Sequence, residues 1–230
     1  MSMQFYDIRE AVSIAQQICT WLLGAVPPTP ASASVRTACG DVEAHADDYI
    51  IDATLPTKLL NCFRLTTAAL PQPFAFGSTF AAWGTIRLNI LALTPATVPG
   101  TIVTQLALWY TLAELARCIA ATNYVSRQDV ATVITNVNAM FEPAEEMAAD
   151  LNQGSFYLAI VSLHAATTRD LVARSLRLPN VVAFDFRQPV PTLWAAQRLY
   201  CDGKRADELR AENHVVHPAF MLPQGVCLSQ

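Results

Sequence analysis

The stretch PNVVAFDFRQPVPTLWAAQRLYCDGKRADELRAENHVVHPAFMLPQGVCLSQ, residues 179–230, changes character from everything before it. It opens on Val181 to Phe186, a Val- and Phe-rich run of the kind that favours a strand. Pro189 and Pro191 turn the chain, and Thr192 to Tyr200 then sets Leu193, Ala196 and Leu199 on one side of a short helix that Thr192 can cap. Asp202 and Gly203 make a turn, and Arg205 to Asn213 predicts a second helix with Asn213 as a left-handed ending. After the Pro223-Gln224-Gly225 turn, Val226 to Leu228 is a final strand. Two such strands can pair antiparallel with both helices on one face, burying Leu193, Leu199, Leu209, Phe220 and Leu228 together. The expected module is therefore βααβ, over 179–230.

Upstream, residues 1–178 read as a helical body. Ile8, Val12, Ala15, Ile18, Cys19 and Leu22 recur at three- and four-residue spacing, which predicts an amphipathic helix from Phe5 that Pro27, Pro28 and Pro30 end. Ser34 is the expected cap of a second helix to Ile51, and Thr54 with Pro56 opens a third through Leu70. Residues 71–100 mix prolines and glycines with short apolar runs, a pattern of loop with a short helix or strand. Thr101 to Ala121 predicts a long helix. Ser126, three residues ahead of Asp129, starts another, which Pro143 can kink, and Phe156 to Leu176 is the last of the body. The fold class is mainly α: a helical bundle followed by the small module.

Composition then sets the problem that function must solve. The chain has 230 residues, 53% of them hydrophobic and only 15% charged, with a mean hydropathy of +0.29. Such apolarity is buried in a bilayer or in a protein interface. The most apolar helix, Thr101 to Ala121, carries Glu114 and Arg117, which cost several kcal/mol at bilayer depth, so no membrane span is expected. Met1 to Gly24 places Asp7, Arg9 and Glu10 ahead of its apolar stretch, unlike a secretory leader, and predicts a protein made in the cytoplasm. A net charge of −4 without a basic block predicts no direct nucleic-acid binding. An oligomer is the expected outlet for the apolar surface.

No catalytic set emerges. Asp41, His45, Asp47 and Asp48 lack the spacing of a metal or acid–base cluster and read as a solvated face, as do Glu142, Glu145, Glu146 and Asp150. The six cysteines stand singly and predict a reduced, buried set. A Cys201–Cys227 disulfide, or a zinc site adding His214 and His217, are the alternatives in the module. Neither a cofactor nor a metal is expected.

Thr192-Leu193-Trp194, the helix from Ala206 to Asn213, and Pro223-Gln224-Gly225-Val226 resemble a LysM module, the small peptidoglycan-associated fold. The departure is Val190-Pro191, where such modules carry Gly-Asp. A second resemblance covers the same region. Pro191-Thr192-Leu193, Arg198-Leu199-Tyr200, Arg205-Ala206-Asp207-Glu208-Leu209, Asn213 and His217-Pro218-Ala219-Phe220 are similar to the C-terminal end of the Mu-type phage DNA circularisation protein N family. That family's members are longer, with an additional N-terminal region, so the chain is expected to be a short or partial form. The resemblance implies a non-enzymatic component of a contractile tail, at its hub or baseplate, located in the virion. Its expected partners are other tail proteins and copies of itself. The alternative is peptidoglycan binding through the LysM-like end. For docking or glycan binding the candidate residues are Gln188, Pro191, Thr192, Trp194, His217, Phe220 and Pro223.

Overall fold

Apolar stripes at helical spacing produce the first three helices of the protein, whose computed structural model describes residues 5–71, 74, 76–150 and 154–229. Helix α1 (Phe5–Ala25) buries Ala11, Ile14, Ala15, Ile18, Cys19 and Leu22 and ends ahead of the prolines. Helix α2 (Ala33–Ile51) begins before Ser34, which therefore is not its cap. A 3-10 turn at Pro30–Ser32 already sets helical backbone there, and the Ser34 hydroxyl reaches back to the Ala31 carbonyl at 3.5 Å. Helix α3 (Leu55–Ala69) carries its proline in the first turn, where the missing amide costs nothing.

Helix α4 (Phe76–Leu91) fills much of the segment whose prolines and glycines suggested mixed structure. Thr79, Trp83, Ile86 and Ile90 are buried at helical spacing, so packing overrides weak propensity. Helix α5 (Val98–Ala121) packs against α1, α3 and α4. Its Glu114 is buried, but it accepts from the Thr67 hydroxyl at 2.7 Å and pairs with Arg117 at 2.9 Å, which satisfies the charge. Among the described residues no helix is long and apolar enough to cross a membrane.

The start of α5 is tied down from α1. The Glu10 carboxylate accepts from the backbone of Ala96 at 2.8 Å and of Thr97 at 2.7 Å, and also from the Thr97 hydroxyl. These bonds, the Ala96 amide first, hold the Glu10 carboxyl below its ordinary range. A carboxyl lowered in the folded state stabilises fully above its unfolded pKa, and that gain is lost as pH falls through the folded value. Urea midpoints followed from neutral pH downward are expected to fall more shallowly on the acid side for Glu10→Gln than for the parent; parallel curves would dismiss the linkage.

Helix α6 (Arg127–Asp150) opens with a reciprocal capping box: Ser126 N–H donates to Asp129 at 2.9 Å, and Asp129 N–H to the Ser126 hydroxyl at 3.2 Å. Pro143 lies within it without ending it. Helix α7 (Gly154–Ser175) follows. Contacts divide the chain into two compact units, one of Met1–Asn123 with Val137–Thr167 and the other of Tyr124–Asn136 with Thr168–Gln230. The boundary expected at Pro179 falls inside the second unit. Gln128 exchanges bonds with the Val181 backbone, its carbonyl accepting at 2.9 Å, and Arg127 donates to the carbonyls of Leu176 and Leu178.

In the second unit β1 (Val181–Asp185) pairs antiparallel with β2 (Gln224–Leu228), Val181 facing Leu228 and Asp185 facing Gln224. Between them lie α8 (Thr192–Tyr200) and α9 (Ala206–Glu212). Val190, Ala195, Ala196, Tyr200, Leu209, Met221 and Cys227 form the core. The expected burial of Leu193 and Phe220 is overturned: they are 63% and 73% exposed. Helix α8 turns its two alanines inward, which admits a close approach, and Leu193 instead lies over Gly203, where an added Cβ would stand 3.1 Å away.

Two capping expectations also change. Pro191 precedes α8, while Thr192 is buried and donates its amide and hydroxyl to the Pro218 carbonyl, at 2.7 and 3.1 Å. Asn213 keeps φ −102°, and His214 takes the left-handed backbone at φ 50°. The Asn213 side chain is a clip: its carbonyl accepts from Val226 N–H at 2.7 Å and its amide donates to Val226 C=O and Leu209 C=O, both at 2.8 Å. Cys201 ends α8 with φ 56°, also left-handed.

Candidate functional site

The two candidate loops of the second unit are brought together by backbone pairing. Val190 and Met221 form an isolated antiparallel bridge, Phe186 N–H donates to Pro223 C=O at 2.7 Å, and Thr192 holds Pro218. Gln188, Pro191, Trp194, His217 and Phe220 are exposed along these loops, Pro223 is half-buried, and Thr192 is buried. Thr192 thus positions the loops and offers nothing to a ligand.

An open groove runs along residues 186–191 to Trp194. Its aromatic wall is built in steps: Phe184 tilts against Phe186 at 5.1 Å between ring centres, and Phe186 meets Trp194 edge-on at 5.5 Å. Trp194 keeps half of its surface in solvent, so a ring face is available beside the groove. His217 and Phe220 make a separate pair at 5.4 Å, off the groove's lining. Leu193, Val216 and Leu222 are exposed as well, Val216 at 97%. Sequence reasoning missed these three because apolar residues in a short module are expected inside it. Arg187 is the charged side chain on the groove wall, so the surface is suited to apolar and stacking contacts more than to ionic ones.

Elsewhere, Asp41 is part of a polar clasp between α2 and α3. It accepts from the Tyr49 hydroxyl at 2.8 Å and from Lys58 Nζ at 3.1 Å, and these partners hold its carboxyl below the ordinary range, Tyr49 first. Asp47 and Asp48 are exposed. Glu145 hydrogen-bonds His164 Nδ1 at 2.8 Å, and Asn138 meets the other ring nitrogen at 3.0 Å. Both are partly buried, and the imidazole stacks on Phe141 at 4.9 Å, an arrangement that locks α6 to α7 within the first unit. Glu142, Glu146 and Asp150 face solvent.

All six cysteines are free, so Cys201 and Cys227 are not bridged: the first is exposed, and the second donates its thiol to Val182 C=O at 3.5 Å. Together with His214 and His217 they form no ligand group. The reading of thiols standing singly fails at another place: Cys19 of α1, Cys39 of α2 and Cys62 of α3 converge in the first unit, with their sulfurs within 4.8 Å of one another. Each lies on the buried stripe of its own helix, but which stripes meet is a tertiary fact. The chain matches no family model and no curated protein.

Proposed function

We propose that this protein is a structural component of a contractile phage tail, in the hub or baseplate region, that acts by assembly and has no catalytic activity of its own. The observation that carries this reading is the second unit's exposed apolar surface: Leu193, Trp194, Val216, Phe220 and Leu222 stay in solvent while a tight core forms beneath them. Aromatic side chains standing clear of a fixed backbone are what protein interfaces bury at their centres. The resemblance of this segment's residues to the tail protein family supplies the kind of partner, other tail proteins and further copies of the chain, within the virion.

Light scattering on the chain, alone and co-expressed with tail proteins, tests the proposal. Trp194→Asp and Phe220→Asp are expected to weaken assembly by about 30-fold or more, the scale of a hot-spot loss, while thermal unfolding stays near that of the parent. A monomer that takes up no tail protein would overturn it.

One observation favours a second reading. The Trp194 ring, braced edge-on by Phe186 beside an open groove, is the kind of platform on which a sugar ring stacks. Retention on purified peptidoglycan that disappears in Trp194→Ala would move the assignment to glycan binding; no retention removes it.

A further inference from the structure

We propose that Cys19, Cys39 and Cys62 form a buried three-sulfur site for a thiophilic monovalent ion of the Cu(I) type. Three thiols from three separate helices meet in one place, each fully shielded from solvent and none engaged in a disulfide. Isolated buried cysteines are ordinary small apolar residues, but three sulfurs pointed at one another leave a space lined by soft donors. Sulfurs around a metal at bonds of about 2.3 Å stand about 4 Å apart in a planar trio. Sulfurs at the observed limit of 4.8 Å reach that spacing when each moves inward by about half an ångström, which side-chain adjustment supplies.

The donor set selects the ion. Thiolate sulfur prefers Cu(I) and zinc over the hard cations. Among the described residues no histidine or carboxylate joins the three sulfurs, so the tetrahedral shell that structural zinc requires is incomplete. A three-coordinate ion fits the site as it stands. Charge points the same way, because an apolar core tolerates little net charge: an ion of charge +1 that displaces one proton leaves the core neutral. Because the site is sealed, the ion enters as α1, α2 and α3 open or first close.

The full chain, reduced and kept free of oxygen, is equilibrated with Cu(I) held by the chromogenic chelator bicinchoninate, in a Cys201→Ser background that removes the exposed thiol. The expected result is withdrawal of one equivalent of copper, with affinity at least about tenfold weaker in each of Cys19→Ala, Cys39→Ala and Cys62→Ala and unchanged in Cys118→Ala, a buried cysteine outside the trio. X-ray absorption on the loaded parent is expected to show copper bound by sulfur alone, at about 2.3 Å; this holds the test open if a variant folds poorly. No withdrawal of copper, withdrawal that Cys118→Ala weakens equally, or nitrogen and oxygen neighbours in the absorption spectrum would overturn the proposal and leave the trio as core packing.

Discussion

Phe63→Ala is expected to destabilise the first unit by about 3–5 kcal/mol, read as a fall in the urea midpoint. Phe63 is fully buried, its ring stacked on Trp83 at 5.9 Å between centres and met edge-on by Tyr110 at 5.8 Å. Tyr110 is itself fixed by donating its hydroxyl to Pro56 C=O at 3.1 Å, and Trp83 is among the largest fully buried side chains. Neither ring is free to follow into the space left behind, so the cavity persists and its cost adds to the lost transfer energy. The aromatic pairings contribute about 0.5–1.5 kcal/mol each beyond burial, and these too are lost. Phe63→Leu keeps much of the volume and is expected to recover most of the loss. A cost below about 1.5 kcal/mol for the alanine would mean that the site collapses, contrary to the packing described.

The second large effect is expected from Asn213→Ala, at roughly 3 kcal/mol, because it strips three hydrogen bonds at once and leaves the Val226 amide and carbonyl without that partner. Asn213→Asp makes a sharper comparison. A carboxylate still accepts from Val226 N–H, but it lays negative charge against the carbonyls of Val226 and Leu209, where the amide had donated, so it is expected to cost about as much. Hydrogen exchange at the Val226 amide should accelerate in both variants. Slow exchange in Asn213→Ala would show that the strand pairing holds β2 without the clip. Gly225 belongs to the same device. A Cβ there would run into the Asn213 carboxamide oxygen and the Phe184 ring, so the residue beside the clip has to be glycine.

Why the fold was legible in some places and hidden in others follows from the range of the forces involved. Helices α1, α5 and α8 were readable because their stripes and the prolines that bound them act within a few residues, as did the Ser126–Asp129 box. Helix α4 was hidden because its signal is the burial of Trp83 and Ile90 by other helices, set against glycines and prolines that argue locally for a loop. The module's strand pairing was readable from two short apolar runs, whereas the exposure of Leu193 depends on how closely two alanines let a helix approach. Of the candidate site, the meeting of the two loops was within reach of sequence and the loss of Thr192 to a structural bond was not. The cysteine trio lay furthest from view, since residues on three helices meet only through the packing of all three.

The left-handed ending of α8 places the exposed thiol, Cys201, outside a molecule whose other five cysteines are buried. A thiol reagent applied to the native protein will therefore meet one sulfur at once and the rest only as the structure breathes. Cys227 reports on the second unit, and Cys19, Cys39, Cys62 and Cys118 report on the first. The protein thus carries two internal clocks and a handle: mass spectrometry of the slow labelling phases times the opening of each unit separately, and a dye on Cys201 follows the folded protein itself.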